Sequence, residues 1–349
     1  METAGMPTHA PVLVREVLDL LAPALAGGGW TVDTTLGLGG HAAAVLDRFP
    51  SVRLFGLDRD PRALQIAAQR LAPFGERVLL ERGRFSDLTD RLDRHGIRRV
   101  RGLLADLGVS SMQLDIPSRG FSFQANAPLD MRMGAAAVDR SEPTFLSAEA
   151  ESLLARAKAL DIEPDEPTAH DIVNRYPEEE LANIFKQYGE ERHARRIARG
   201  IAEARREQPV ETTGELAKLV AEWKPVPPRH GGRRPGQRNL HPATQVFQAL
   251  RMEVNREMDE LESLLDQAVT LLEKEGCLAI ISYHSGEDRA VKHTLRDLAT
   301  GQIDRVTGRP RAETQVIEVL TKKPVRPTDA EVAQNPRSRS ARLRAARRI

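Results

Sequence analysis

The chain has one cysteine, Cys277, in 349 residues, which excludes intramolecular disulfides and cysteine-rich metal sites. Aromatic residues make up only 4% of it, so surfaces on which a base could stack must be few. No stretch reaches the roughly eighteen uncharged apolar residues of a bilayer-spanning helix, and no basic segment followed by an apolar core opens the chain. A cytoplasmic protein without membrane contact is expected. A net excess of charge is also missing, since 51 Lys and Arg stand against 50 Asp and Glu, for a formal net charge of +1. That balance hides local asymmetry. From Lys224 to Arg251 there are six basic residues and no acid, and from Arg337 to the end there are six arginines and no acid. Such clusters suit phosphate contact or a solvated surface equally well.

What is present is ordinary globular composition, 40% hydrophobic and 29% charged, in a chain long enough for two domains or for one with a large insertion. Short apolar runs alternate with helical periodicity in the first third, the signature of a parallel sheet covered on both faces. Strands are expected at 30–33, 53–58, 78–81 and 102–106, with helices at 42–47 and 61–71. Asp60-Pro61 reads as an N-cap followed by proline in the first turn. From about residue 110 to 240 strand-like runs cease and helical stretches such as 178–206 and 213–223 take over, which predicts an inserted helical subdomain. The proline and glycine run 225–232 bounds it on the far side.

Beyond Pro242, the spacing of Val246, Leu250, Val254, Met258, Leu261 and Leu265 predicts one long amphipathic helix or two consecutive ones, closed by Gly276. Strands at 277–283 and 316–320 follow. The division is therefore 1–110 with 241–330 as a discontinuous α/β domain, 111–240 as the insertion, and 331–349 as a basic C-terminal tail.

The first strand ends at Asp33 and runs through Thr34-Thr35-Leu36 into Gly37-Leu38-Gly39-Gly40-His41, where a helix begins. Glycines let backbone approach a ligand closely, and a helix N-terminus offers unpaired N–H groups. Asp58 ends the second strand, nineteen residues after Gly39, where a carboxylate can take ribose hydroxyls. The turn also satisfies the dinucleotide pattern G-x-G-x-x-A, so a nicotinamide cofactor and S-adenosylmethionine both fit it. The tip of the fourth strand, Asp106-Leu107-Gly108-Val109-Ser110-Ser111, favours S-adenosylmethionine, because a polar tip there can hold an amino group for methylation.

These motifs resemble the MraW/RsmH family. The resemblance rests on His9-Ala10-Pro11-Val12-Leu13, Gly37 to His41, Asp58-Arg59-Asp60-Pro61, Asp106 to Ser111 and Gln113-Leu114-Asp115. It continues through Arg119-Gly120-Phe121-Ser122-Phe123, Pro128-Leu129-Asp130-Met131-Arg132-Met133, Tyr188 to Arg192, His284-Ser285, Glu287-Asp288-Arg289 and Asn335-Pro336-Arg337. The family consists of bacterial enzymes that methylate the exocyclic N4 of a cytidine in the decoding region of 16S ribosomal RNA, near the P site. The resemblance implies a Rossmann-like class I S-adenosylmethionine-dependent methyltransferase. It also implies 16S rRNA as partner, within the small ribosomal subunit, and leaves a homodimer open. Cofactor contacts implied for this chain are Gly39, Gly40 and His41 at the turn, Asp58 at the ribose, Phe85 near the adenine, and Asp106 and Gln113 completing the pocket. Thr34, Met112 and Gly286 depart from the usual glycine or cysteine, proline and leucine.

A cytosine amino nitrogen is a poor nucleophile, so catalysis must align it with the donor methyl and favour proton loss, work that positioning can largely do. Asp106 is the expected hydrogen-bond acceptor for the amino group, with His284 and His41 as alternatives. Cys277, inside an apolar run, reads as a core residue rather than a nucleophile. No metal site is expected. Phe121 and Phe123 are candidates for holding an extruded base, and Arg192, Arg195, Arg196, Arg199, Arg205 and Arg206 for tracking phosphates.

Overall fold

A computed structural model describes residues 11–134, 146–156, 166–224, 241–303 and 310–349. The start of the His9 to Leu13 run and the basic loop 225–240 lie outside the described residues. The chain divides into two compact units. The first holds residues 1–108, 138–162 and 258–349, and the second holds 109–137 and 163–257.

The first unit is built on a seven-stranded sheet. Its strands are β1 (Gly29–Asp33), β2 (Val52–Asp58), β3 (Val78–Arg82), β4 (Val100–Asp106), β5 (Leu272–Ser282), β6 (Ile317–Val319) and β7 (Arg342–Arg348). Their order is β3-β2-β1-β4-β5-β7-β6. The first five are mutually parallel, and β7 is antiparallel to both β5 and β6. Helices cover both faces, so central strands such as β2 and β4 are apolar almost continuously instead of alternating. The helix Pro61–Leu71 starts where Asp60 accepts a hydrogen bond from the Arg62 N–H at 3.0 Å, with Pro61 in its first turn, as its sequence predicts.

Three expectations are corrected here. Residues 342–348 are not part of a basic tail but an interior strand. Leu343, Ala345 and Ala346 are buried, and Arg344 is tied to Asp288 at 2.7 Å. Arg348 donates to the carbonyls of Val269 and Leu272, and Arg347 pairs with Glu275 and Glu318. Four consecutive residues, Leu343 to Ala346, are buried because both faces of the strand are covered, and the six arginines from Arg337 onward conceal it. Gly276 does not close a helix; the helix Glu257–Leu271 passes directly into β5, and a register shift against β4 absorbs residues 273–276. The domain boundaries also move. Ala150 and Leu153, on the helix Ala148–Arg156, pack with Leu64, Ala68, Leu71 and Leu80 of the first unit. Val246, Phe247, Leu250 and Val254 pack instead with Ile172, Phe185 and Ile197 of the second.

The second unit is helical among its described residues, with Ala169–Arg175, Glu178–Gln187, Ala194–Glu207, Thr213–Trp223 and Thr244–Val254 around one core. The predicted 178–206 stretch is two helices, parted at Gly189 and at Glu190, whose φ is 50°. The amphipathic run after Pro242 is likewise two helices, broken at Arg256 with φ 49°.

Candidate active site

The carboxyl ends of β1, β2 and β4 bring three carboxylates to one end of the sheet, Asp33, Asp58 and Asp106. Backbone geometry between them is fixed by short hydrogen bonds. Asp33 Oδ1 accepts from the Thr35 N–H at 3.1 Å, and Thr35 Oγ1 accepts from the Asp106 N–H at 2.5 Å. Gly37 N–H donates to Asp58 Oδ2 at 2.7 Å, and Asp60 N–H donates to Asp58 Oδ1 at 2.8 Å. Gly39 is the residue before the helix Gly40–Arg48 and has φ 74°; a side chain there would be strained and would meet Ala67 at 3.3 Å. Thr34 spends both its N–H and its hydroxyl on the Leu104 carbonyl, so this departure from the family pattern serves the β1–β4 pairing.

His41 is buried in the first turn of that helix. Its Nε2 lies 2.8 Å from the Val12 carbonyl, so a neutral ring carries its proton there and leaves Nδ1 bare, 3.9 Å from Asp106 Oδ2. The other oxygen of Asp106 accepts from the Tyr283 hydroxyl at 2.8 Å. Tyr283 is placed by register: Asp106 pairs with Ile281 on β5, and Tyr283, two residues on, shares the face of Ile281.

Burial dominates the electrostatics. It pushes Asp33 and Asp58 up to about 6 and Asp106 up to about 7. For Asp33 the nearby His41 opposes the shift, and for Asp106 the Tyr283 hydroxyl does. Burial holds His41 below the usual histidine range and Tyr283 far above the usual phenol range.

His284 serves its own helix. It caps Ser285–Thr300, with Nδ1 accepting from the Glu287 N–H at 3.3 Å and Nε2 lying 3.0 Å from Glu287 Oε1. Both ring nitrogens thus face Glu287, an arrangement suited to shaping the loop rather than to taking a substrate proton. Gly286 sits beneath that ring; a Cβ there would lie 3.2 Å from Nδ1, so the departure from leucine relieves a tight contact. Phe85 begins a short turn after β3, its carbonyl held by Gln267 at 2.8 Å and its side chain against the core.

Gln113 belongs to the second unit, where it forms a reciprocal cap with Ser110. Met112, beside it, is a half-buried residue of the short helix Ser111–Asp115. Phe121 is in the core of that unit and is not an open platform. Phe123 is half-buried, its ring 4.5 Å from that of His241 and edge-on to Phe247. The motif around them is a clasp: Arg119 donates to the carbonyls of Arg132 and Met133, and Asn255 bonds both Met131 O and Met133 N–H at 2.8 Å.

Sequence reasoning names Thr35 and Glu287 only within the turn and the Glu287-Asp288-Arg289 motif, with no role of their own, and gives none to Tyr283. Thr35 was hidden among other turn residues, and Tyr283 was read as the end of an apolar run. The pairing of β4 with β5 is what reveals it.

Two cofactors fit the glycine turn, and charge separates them. A dinucleotide would bring its doubly charged pyrophosphate to the helix N-terminus, where Asp33 and Asp106 already stand within the field of His41. S-adenosylmethionine carries a sulfonium and an ammonium, and three carboxylates with raised proton affinity suit a cation. The antiparallel β7 inserted between β5 and β6 also departs from the 3-2-1-4-5-6 dinucleotide sheet. Sheet and crevice together define a Rossmann-like class I methyltransferase that uses S-adenosyl-L-methionine.

The chain belongs to the MraW methylase family, whose model matches residues 6–147 and 138–349. It is 46% identical to the ribosomal RNA small subunit methyltransferase H of Thermobifida fusca (strain YX), over 98% of this chain and 94% of that one. The proteins of the same name from Nitratidesulfovibrio vulgaris and Persephonella marina are 44% and 42% identical, over 98% and 99% of this chain and 86% and 100% of theirs. Among the described residues no helix is long and apolar enough to cross a membrane.

Proposed function

We propose that this enzyme methylates the N4 of a cytidine in the decoding region of 16S ribosomal RNA, near the P site, acting on the small subunit in the cytoplasm. The names of the relatives supply the substrate class, and Asp106 supplies the chemistry.

The donor contributes an electrophilic methyl group on sulfur. Gly40 is assigned to its carboxylate end through its backbone N–H, Gly39, whose own N–H goes to the Leu36 carbonyl at 2.8 Å, to the close backbone approach, and Asp33 to its ammonium. Asp58 is assigned to the ribose. Both its oxygens already accept a backbone N–H, but each keeps a second lone pair for a hydroxyl. Phe85 is assigned to the adenine, and His41 packs beside Asp106. Gln113 is retained on family resemblance alone. The nitrogen–methyl bond forms as the sulfur–methyl bond breaks, and the amino group must shed one proton. Asp106 is the acceptor in this reading. A carboxylate with proton affinity near neutrality both accepts that hydrogen bond and releases the proton afterwards. His284 is left out of this proton path, because its Nδ1 is taken by the Glu287 N–H in the helix cap.

Mass mapping of modified nucleosides in 16S RNA from cells with and without the gene tests the reading. Loss of one N4-methylcytidine in the decoding region is the expected result, and an unchanged map overturns it.

A further inference from the structure

The helix Ala194–Glu207 in the second unit presents two chemically distinct faces. Inward, Ile197, Ala198 and Ile201 enter the core, and the ring of Trp223 lies directly on Gly200, so the helix is held firmly. Outward, Arg192, Arg195, Arg196, Arg199 and Arg206 are all exposed. Among the described residues, none of these five makes an ion pair or a side-chain hydrogen bond.

Arg205, one residue from the last of them, behaves differently. It turns inward and donates to the carbonyls of Val173 and Tyr176, closing the end of the helix Ala169–Arg175. It is therefore removed from the phosphate-tracking set expected from sequence. Elsewhere arginines are commonly tied down, as with Arg48 to Asp19, Arg132 to Asp130, Arg251 to Glu257 and Arg344 to Asp288.

The N-terminal members sit where a merely solvated helix would not put them, whereas Arg206 lies in the last turn, where the dipole favours a cation, and Glu203 stands four residues after Arg199. Arg195 and Arg196 occupy the N-terminal turn, where the helix dipole disfavours cations, and no acid stands there. Arg195 and Arg199 are like charges four residues apart on the helix, a spacing at which they repel. Arg195, Arg199 and Arg206 fall within a narrow arc, while Glu203 and Glu207 lie to the Arg196 side of it. With 1.5 Å of rise per residue, the line of three spans about 16 Å.

We infer that this row of unpaired arginines on the second unit is a docking surface for the phosphate backbone of the substrate RNA. The inference rests on the RNA reading above and adds the surface that would carry part of the binding. A polyanion relieves the mutual repulsion, and guanidinium groups on a rigid helix lose little freedom in contacting phosphates.

The test is a triple variant, Arg195→Gln, Arg199→Gln and Arg206→Gln, in the full chain. Its binding to a 16S RNA fragment containing the decoding region is measured against potassium chloride concentration, beside wild type and an Arg296→Gln control. Arg296 is an exposed arginine of the first unit that pairs with its neighbour Asp297. Loss of three phosphate contacts should flatten the slope of log affinity against log salt by about 2 on the single-strand scale, and raise the RNA KM while leaving kcat near wild type. Thermal melting should show the triple variant at least as stable as wild type, because repulsion has been removed. An unchanged slope in a folded variant overturns the inference, as does preferential binding of wild type to an acidic protein over RNA. Failure of wild type itself to bind or methylate the RNA sinks the functional reading instead.

Discussion

Tyr283 donates its hydroxyl to Asp106 Oδ1 at 2.8 Å, joining the ends of the parallel strands β4 and β5. The bond lowers the proton affinity that burial raises, so the tyrosine sets where Asp106 ionises. In the proposed mechanism Asp106 must be ionised to accept a proton. The rate kcat/KM should therefore climb with pH, pass its midpoint near 7 and level off about a unit above, and the midpoint for kcat should lie lower, because a bound sulfonium favours the carboxylate. Asp106→Asn should cost about 100-fold or more in kcat and flatten the profile. Tyr283→Phe should move the inflection upward with donor affinity little changed. Full activity in Asp106→Asn with normal donor binding would remove Asp106 from the chemistry.

Stability should carry the same signature. Asp33, Asp58 and Asp106 hold protons more tightly folded, at about 6, 6 and 7, than their ordinary value of 3.8. The native state thus binds more protons than the unfolded chain between about pH 4 and pH 7. Their contribution is fully present below that window and lost as pH rises through it, at up to about 1.4 kcal/mol per pH unit for each group. Urea midpoints should show Asp106→Asn level with wild type at pH 4 and ahead of it at pH 8. Saturating S-adenosylmethionine should narrow the gap by restoring positive charge to the crevice.

Arg344 is 7% exposed and holds Asp288 in a two-pronged contact at 2.7 and 3.3 Å. Truncating it leaves a half-buried carboxylate with only the looser approach of Arg342 at 3.9 Å. Arg344→Ala should lower unfolding stability by about 3 kcal/mol, and adding Asp288→Asn should recover part of that loss. Additive effects of Arg344→Ala and Asp288→Asn in urea titration, with the double variant losing the sum of the two single losses, would mean that the pair is not coupled.

Cys277 is 2% exposed in β5, and burial pushes its thiol up to about 12. A water-soluble thiol reagent should leave the native protein unlabelled at pH 8 and modify one site per chain in denaturant. Rapid native labelling would contradict the closed packing of β5 against β7.

The α/β core was readable because parallel strands buried on both faces print as apolar blocks, and because Asp60-Pro61 marks a helix start unambiguously. The ligand-facing turn was readable from Gly37 to His41, since few residues tolerate the φ of Gly39. Tyr283 and Thr35 were not, because their meaning arises from the register of strands far apart in sequence. The C-terminal strand was misread for a different reason: arginines that signal phosphate contact in an open tail signal carboxylate and carbonyl partners once Leu343 and Ala345 are buried. Phe121 and Arg205 show the same limit, since residue type suggests a partner and only packing decides which one is taken.

The position of β7 gives the biosynthesis of this enzyme an unusual timetable. Every residue named at the crevice, from Asp33 to Tyr283, precedes it in the chain, yet β5 and β6 are bridged only when residues 342–348 arrive. A chain ending at residue 341 would hold every residue assigned above to the crevice and still expose the unpaired edges of β5 and β6, surfaces prone to pair with other chains.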